Sequence, residues 1–120
     1  MSDRELMILS TLEDIRFSIE LIIKRFEKID SSDDFLADEN GIEKLDGISM
    51  RLVAIGEGFK NIDKLTDKKL LPNYPKVNLS HHYFDLDAET IFVICDSYLE
   101  ELLIATNKMI DDVKIGIENG

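Results

Sequence analysis

A chain of 120 residues with 25 acidic against 14 basic side chains carries a formal charge of -11, which opposes binding of a polyanion except at a locally basic surface. The length suffices for one core without disulfides or metal, and the single cysteine, Cys95, cannot form an internal bridge. No basic stretch followed by an apolar run opens the sequence, and no apolar run nears the roughly 20 residues of a membrane span. The expectation is one soluble, cytoplasmic domain over residues 1–120.

Ser2 and Glu5 have the spacing of a capping box, and Ile8, Leu12, Ile15, Ile19, Ile22, Phe26 and Ile29 follow at intervals of three and four. This predicts a first helix from about residue 3 to 29, its stripe widened by Leu6, Leu9 and Ile23. Asp30-Ser31-Ser32-Asp33-Asp34 reads as a stop and turn, and Phe35-Leu36 as an apolar anchor before Asp38-Glu39-Asn40 open a second helix. The stripe of that helix is Ile42, Leu45, Ile48, Leu52, Ile55, Phe59 and Ile62. Interior glycines cost a helix about 1 kcal/mol each relative to alanine, and this helix holds Gly41, Gly47, Gly56 and Gly58. At Gly56 and Gly58, which flank Glu57, the missing side chains either admit another backbone or are simply tolerated.

Thr66 is expected to cap one or two helical turns through Leu71, after which Pro72 and Pro75 end regular structure. A loop follows. Asp87 is the expected N-cap of a final long helix that runs to about residue 116, with Glu89 at the positive end of its dipole. Ile91, Ile94, Tyr98, Leu102, Ala105, Met109 and Val113 form its inner face, and Cys95 falls in the apolar phase, as a small buried hydrophobe rather than a nucleophile. Glu100-Glu101 and Asp111-Asp112 read as a solvated outer face, because no histidine joins them at ligand spacing; no metal site is expected. The chain is thus predicted to be all-α, an up-and-down helical bundle of three long and one or two short helices. The apolar surplus at Leu6, Leu9, Ile23, Ile91, Phe92, Leu103 and Ile104 serves either a homodimer face or a broad monomer core.

Charge is unevenly spread. Residues 1 to 59 hold 7 basic and 14 acidic side chains, and residues 83 to 120 hold 2 and 9. Between them, Lys60, Lys64, Lys68, Lys69 and Lys76 outnumber Asp63 and Asp67, so the one basic stretch is either a phosphate-facing patch or a solvated linker. It ends at His81-His82-Tyr83-Phe84-Asp85-Leu86-Asp87, where both histidines of the protein stand side by side before a helix. Histidine is the side chain whose unperturbed charge changes near neutral pH. An exposed pair in a turn is the plainer reading of the same residues.

Several of these pieces together resemble the HEPN superfamily, in its HepT-like branch of small toxins, over nearly the whole length. They are the long first helix, Phe35-Leu36-Ala37-Asp38, Ile55-Gly56-Glu57-Gly58, the linker prolines Pro72 and Pro75, and the run from His81 to Asp87. In the family a histidine, one variable residue and a tyrosine follow an arginine with four to six residues between arginine and histidine. His81 and Tyr83 match the second half of that pattern, and His82 takes the variable place. The resemblance implies a HEPN-like bundle and a metal-independent endoribonuclease needing no cofactor, which cleaves RNA in a cleft shared by a homodimer. It also implies a minimal nucleotidyltransferase antitoxin, with Tyr83 as a possible adenylylation site and Glu57 and Asp85 as supporting residues.

The chemistry suits these residue types. A histidine titrating near neutrality can take the proton of a ribose 2′-hydroxyl or protonate the leaving 5′-oxygen without a metal ion. A cation must stabilise the phosphorane-like transition state, and an arginine fork does so better than a lysine. Here the chain departs from the pattern: no arginine follows Arg51, and the residue five before His81 is Lys76. Either Lys76 replaces the arginine, which weakens or abolishes cleavage, or about ten residues of the family pattern are missing between Asn78 and Leu79. A Cα spacing of about 3.8 Å across that peptide would exclude the second explanation. Two readings without cleavage stand beside the nuclease: a HEPN helical module that docks a partner or binds a nucleotide, favoured by the acidic charge and absent arginine, and a plain dimeric helical scaffold.

Overall fold

The structure, a computed structural model, describes residues 2–75, 77 and 87–119. Four α-helices, α1 (Asp3–Phe26), α2 (Glu39–Leu65), α3 (Ala88–Ser97) and α4 (Leu99–Asn119), are joined by 3-10 turns at Ser32–Phe35 and Leu71–Asn73. Among the described residues there is no strand, and no helix is long and apolar enough to cross a membrane. α1 lies between α2 and α4, while α3 packs across the first 3-10 turn and the ends of α1 and α4.

Three of the four helices, α1, α2 and α3, start where the sequence offers a cap. Ser2 Oγ accepts from the Glu5 N–H at 3.1 Å, and the Glu5 carboxylate accepts from the Ser2 hydroxyl at 2.9 Å. Asp38 accepts from the Gly41 N–H and Asp87 from the Thr90 N–H, both at 2.8 Å. α1 stops three residues short of the expected 29, because Glu27 and Ile29 turn their N–H groups to carbonyls three residues back, Lys24 and Phe26. Of the expected Phe35-Leu36 anchor, Phe35 is wholly buried and Leu36 is exposed.

The core is a single cluster built on the expected stripes: Ile8, Leu12, Ile15, Ile19 and Ile22 of α1 face Ile48, Leu52, Ile55, Phe59 and Ile62 of α2. Phe26 joins three elements, with ring centroids 6.3 Å from Phe35 and 5.3 Å from Phe92. Of the apolar surplus, Ile91 is buried, Leu9, Ile23, Phe92 and Leu103 pack against the core, and Leu6 and Ile104 are exposed.

Three features differ from the sequence reading. The final helix is two: Tyr98, at φ -126°, leaves the helical region between α3 and α4, and the buried line becomes Ile91, Cys95, Leu99, Leu102, Thr106, Met109 and Ile110. Thr66 closes α2 instead of opening a new helix; its N–H and its hydroxyl both donate to the Ile62 carbonyl, at 3.0 and 2.8 Å. The close backbone approach falls at Gly41, where an added Cβ would lie 2.9 Å from the Phe35 carbonyl oxygen and nearer still to that of Asp34. At Gly58 the neighbour is a side chain, with Ile15 Cγ1 and Cδ1 at 2.7 and 2.9 Å from such a Cβ.

Candidate functional site

The segment expected to carry chemistry runs from the end of α2 to the start of α3, and its described parts are the two stems. The first stem begins with a Schellman ending: the Lys68 N–H donates to the Asp63 carbonyl at 2.8 Å, with Asp67 at φ 52° and Lys68 at φ 61°. Two consecutive non-glycine residues are therefore left-handed, a conformation that costs about 1–3 kcal/mol each. The turn spreads Lys60, Lys64 and Lys68 around an open depression of about 610 Å³ that also includes Asp63 and Asp67. The positive surplus read from the sequence is thus a surface in space, tempered by carboxylates.

Beyond the turn the chain is pinned. Leu71 and Val77 are fully buried, and the Tyr74 hydroxyl donates to Asp112 Oδ2 on α4 at 2.6 Å; Lys108 Nζ lies 3.5 Å from the same oxygen. Burial, then the bond to Asp112 and its charge, push the Tyr74 phenol up to about 12. The tyrosine bond, together with Lys108, holds the Asp112 carboxyl below its ordinary value. The second stem starts at Asp87, whose carboxyl is likewise lowered by its bond to the Thr90 N–H.

Lys76, His81, Tyr83 and Asp85 lie outside the described residues, as does the junction of Asn78 with Leu79. Glu57 is described. It sits on the exposed flank of α2, its carboxylate 3.6 Å from Lys60 Nζ, in a groove of about 590 Å³ with Asp14, Arg51 and Asn61. Nine residues separate Glu57 from Thr66, which places it about 14 Å up the helix from the stem. Its contact with the basic end of α2 runs through Lys60.

Sequence reasoning missed two arrangements. The Tyr74–Asp112 bond spans 38 residues, and no local pattern in the sequence pairs the two. The Arg51 guanidinium lies 5.5 Å from the Phe17 ring centroid and donates to Ser18 Oγ at 3.4 Å, a placement that only the pairing of α1 with α2 creates. Cys95 is 7% exposed and its thiol is pushed by burial up to about 12, so it is protonated at neutral pH. Among the described residues, no three His, Cys, Asp or Glu side chains are grouped to hold a metal ion.

Among the described residues the helices and their pinned stems define an all-helical bundle. The chain matches no protein-family model, no curated protein and no solved structure.

Proposed function

We propose that the chain is a HepT-like toxin, a metal-independent endoribonuclease that acts as a homodimer in the cytoplasm and is neutralised by a minimal nucleotidyltransferase antitoxin. The observation that supports this reading is how the His81–Tyr83 run is framed. One flank is the lysine-bearing end of α2 and the Tyr74 anchor on α4, the other is the Asp87 cap of α3. Lys60, Lys64 and Lys68 can draw a phosphodiester to the end of α2, and His81, further along the same stretch of sequence, is a residue type able to move protons at neutral pH.

In this reading His81 accepts the 2′-hydroxyl proton as the 2′-oxygen attacks phosphorus. The bond to the 5′-oxygen breaks, leaving a 2′,3′-cyclic phosphate, and the 5′-oxygen takes its proton from solvent water, to which His81 returns the proton it accepted. Lys76 supplies the positive charge that an arginine fork supplies in the family pattern. The test is cleavage of RNA by wild type, His81→Ala and Lys76→Arg. His81→Ala is expected to lose about 10²- to 10⁴-fold, and Lys76→Arg to gain, because two oxygens are then held at once. Equal rates for wild type and His81→Ala remove His81 from the reaction.

A second reading, a non-catalytic HEPN helical module that docks a partner or nucleotide, is favoured by the charge of -11 and by the lack of any arginine after Arg51. It predicts no cleavage by any variant. Incubation with the candidate nucleotidyltransferase and ATP probes Tyr83: an adenylyl mass increment that disappears in Tyr83→Phe supports its modification, and one that survives excludes it.

A further inference from the structure

The groove of about 590 Å³ between α1 and α2 holds charges of both signs that do not close on one another. Arg51, Asp14 and Glu57 all line it, yet among the described residues Arg51 and Asp14 make no ion pair and Glu57 pairs with Lys60. Arg51 is held elsewhere. Its Nη1 donates to Oγ of the buried Ser18 at 3.4 Å, and its guanidinium carbon lies 5.5 Å from the centre of the Phe17 ring. A guanidinium has five N–H donors, and among the described residues only the one to Ser18 finds an acceptor. A half-buried arginine fixed in this way can hold a carboxylate through two parallel bonds.

The carboxylates stand further along the groove. α1 and α2 run antiparallel, since Ser18 is bonded by Arg51 and Thr11 by Asn61. Asp14 lies four residues from Ser18 on α1 and Glu57 six residues from Arg51 on α2, rises of about 6 and 9 Å. The groove is thus positive at the level of Arg51 and Ser18 and negative at the level of Asp14 and Glu57, with the Asn61–Thr11 bond crossing it beyond them at 3.3 Å. Its walls are otherwise small or apolar. Ala54 and Gly58 keep the α2 side low, Ile15 fills the space beneath Gly58, and Phe17 stands 56% exposed at the α1 edge.

The two ends together select a ligand. A simple cation in this groove meets the arginine, and a simple anion meets two carboxylates, so either pays for a like-charge neighbour. A molecule with a carboxylate at one end and an ammonium at the other satisfies both. An ammonium has three donors, enough to bond Asp14 and Glu57 at once. Five extended carbons between a carboxyl carbon and an amino nitrogen span about 7 Å, which falls between the two helical rises. Such a methylene chain suits the small and apolar walls. Lysine carries this chain between its own carboxylate and its terminal ammonium.

We propose that the α1–α2 groove is a binding site for an ω-amino carboxylate of lysine's length, its carboxylate on Arg51 and its ammonium between Asp14 and Glu57. No step of the proposed RNA cleavage runs through this groove, so the two assignments stand or fall separately. Free lysine and a lysine at the C-terminus of a polypeptide present the same two groups. They differ at the α-nitrogen, which is charged in the free amino acid and a neutral amide at a chain end.

Titration of the ¹⁵N-labelled chain with 6-aminohexanoate, read by amide chemical shifts, tests it. The shifts are expected to centre on Phe17, Ser18, Ala54 and Gly58. Hexanoate and hexylamine, which keep one charge each, are expected to bind about tenfold or more weakly, because each forgoes a hydrogen-bonded charge pair. Arg51→Gln should bring 6-aminohexanoate down to the affinity of hexylamine, and Asp14→Asn/Glu57→Gln down to that of hexanoate. Circular dichroism reports whether each variant folds, and the carboxylate variant replaces exposed side chains by others of the same shape. No shift at millimolar 6-aminohexanoate, shifts centred outside the groove, equal binding of the three probes, or two folded variants that bind like wild type overturns the assignment. L-lysine and Nα-acetyl-L-lysine then separate the sources: tighter binding of the first assigns the site to the free amino acid, and of the second to a chain end. Failure of both where 6-aminohexanoate binds overturns lysine as the ligand.

Discussion

The two ends of α2 use glycine in opposite ways. At the N-terminal end Gly41 has ordinary helical φ, yet it is required because the backbone of Asp34 and Phe35 lies where a side chain would begin. At the C-terminal end Asp67 and Lys68 hold left-handed φ, where glycine is favoured, and neither is glycine. One end is closed by backbone against backbone around the buried Phe35; the other is open, polar and carries lysines. The tolerated cost at the second end precedes, along the sequence, the segment for which a function is proposed.

That contrast can be broken or sharpened by substitution. Phe35→Ala should have the largest effect, a loss of about 3–5 kcal/mol in urea unfolding, because a fully buried ring that touches Phe26 is removed. Gly41→Ala should cost about 1–3 kcal/mol, since the obstructing atoms are main-chain and cannot swing away. Gly58→Ala is the matched comparison. Ile15 can rotate from the new methyl, and the gain in helix propensity of about 1 kcal/mol offsets the crowding, so stability should stay within about 1 kcal/mol of wild type. Equal losses at the two glycines would end the distinction between backbone and side-chain contact. At the open end, Lys68→Gly should stabilise by about 0.5–1 kcal/mol in the same assay.

The smallest effect concerns the anchor of the open end. Tyr74→Phe should lower Tm by a few degrees at neutral pH. The wild-type advantage depends on pH at both extremes. Asp112 titrates lower in the folded chain, so its contribution is present above the ordinary carboxyl value of about 4 and is lost as pH falls through the lowered one. Tyr74 titrates higher when folded, so its contribution is present below about 10 and is lost as pH rises toward about 12. Thermal melts of both proteins across this range check the shape; a difference that persists at both extremes would show that the bond is not its source.

Much of the fold was legible because it rests on local signals. Ser2, Asp38 and Asp87 announce three helix starts by chemistry that acts within a single turn, and apolar spacing found the buried faces of α1 and α2. The break at Tyr98 was not legible, since neither proline nor glycine marks it; it arises where α3 turns toward the first 3-10 turn while α4 continues along α1. Leu99 and Thr106 were missed as core positions for the same reason, the break shifting the helical phase. The Thr66 hydroxyl can serve either end of a helix, and only the left-handed residues after it decide which. As for the site, the resemblance singles out His81 and Tyr83, whereas the groove of Asp14, Arg51 and Glu57 exists only once α1 and α2 are set side by side.

The place of α1 between α2 and α4 also has a bearing on how the protein is made. One neighbour is bonded through Asn61, 50 residues after Thr11, and the other through Asn107, 91 residues after Arg16. A ribosome delivers them in turn. Once α2 has emerged the hairpin can close, but the side of α1 that α4 covers stays bare until the chain around Asn107 leaves the tunnel. At synthesis rates of about 5–20 residues per second that interval lasts roughly 2–9 s. During it the nascent hairpin shows water an apolar surface that the finished protein hides, and a chaperone would find its binding site there.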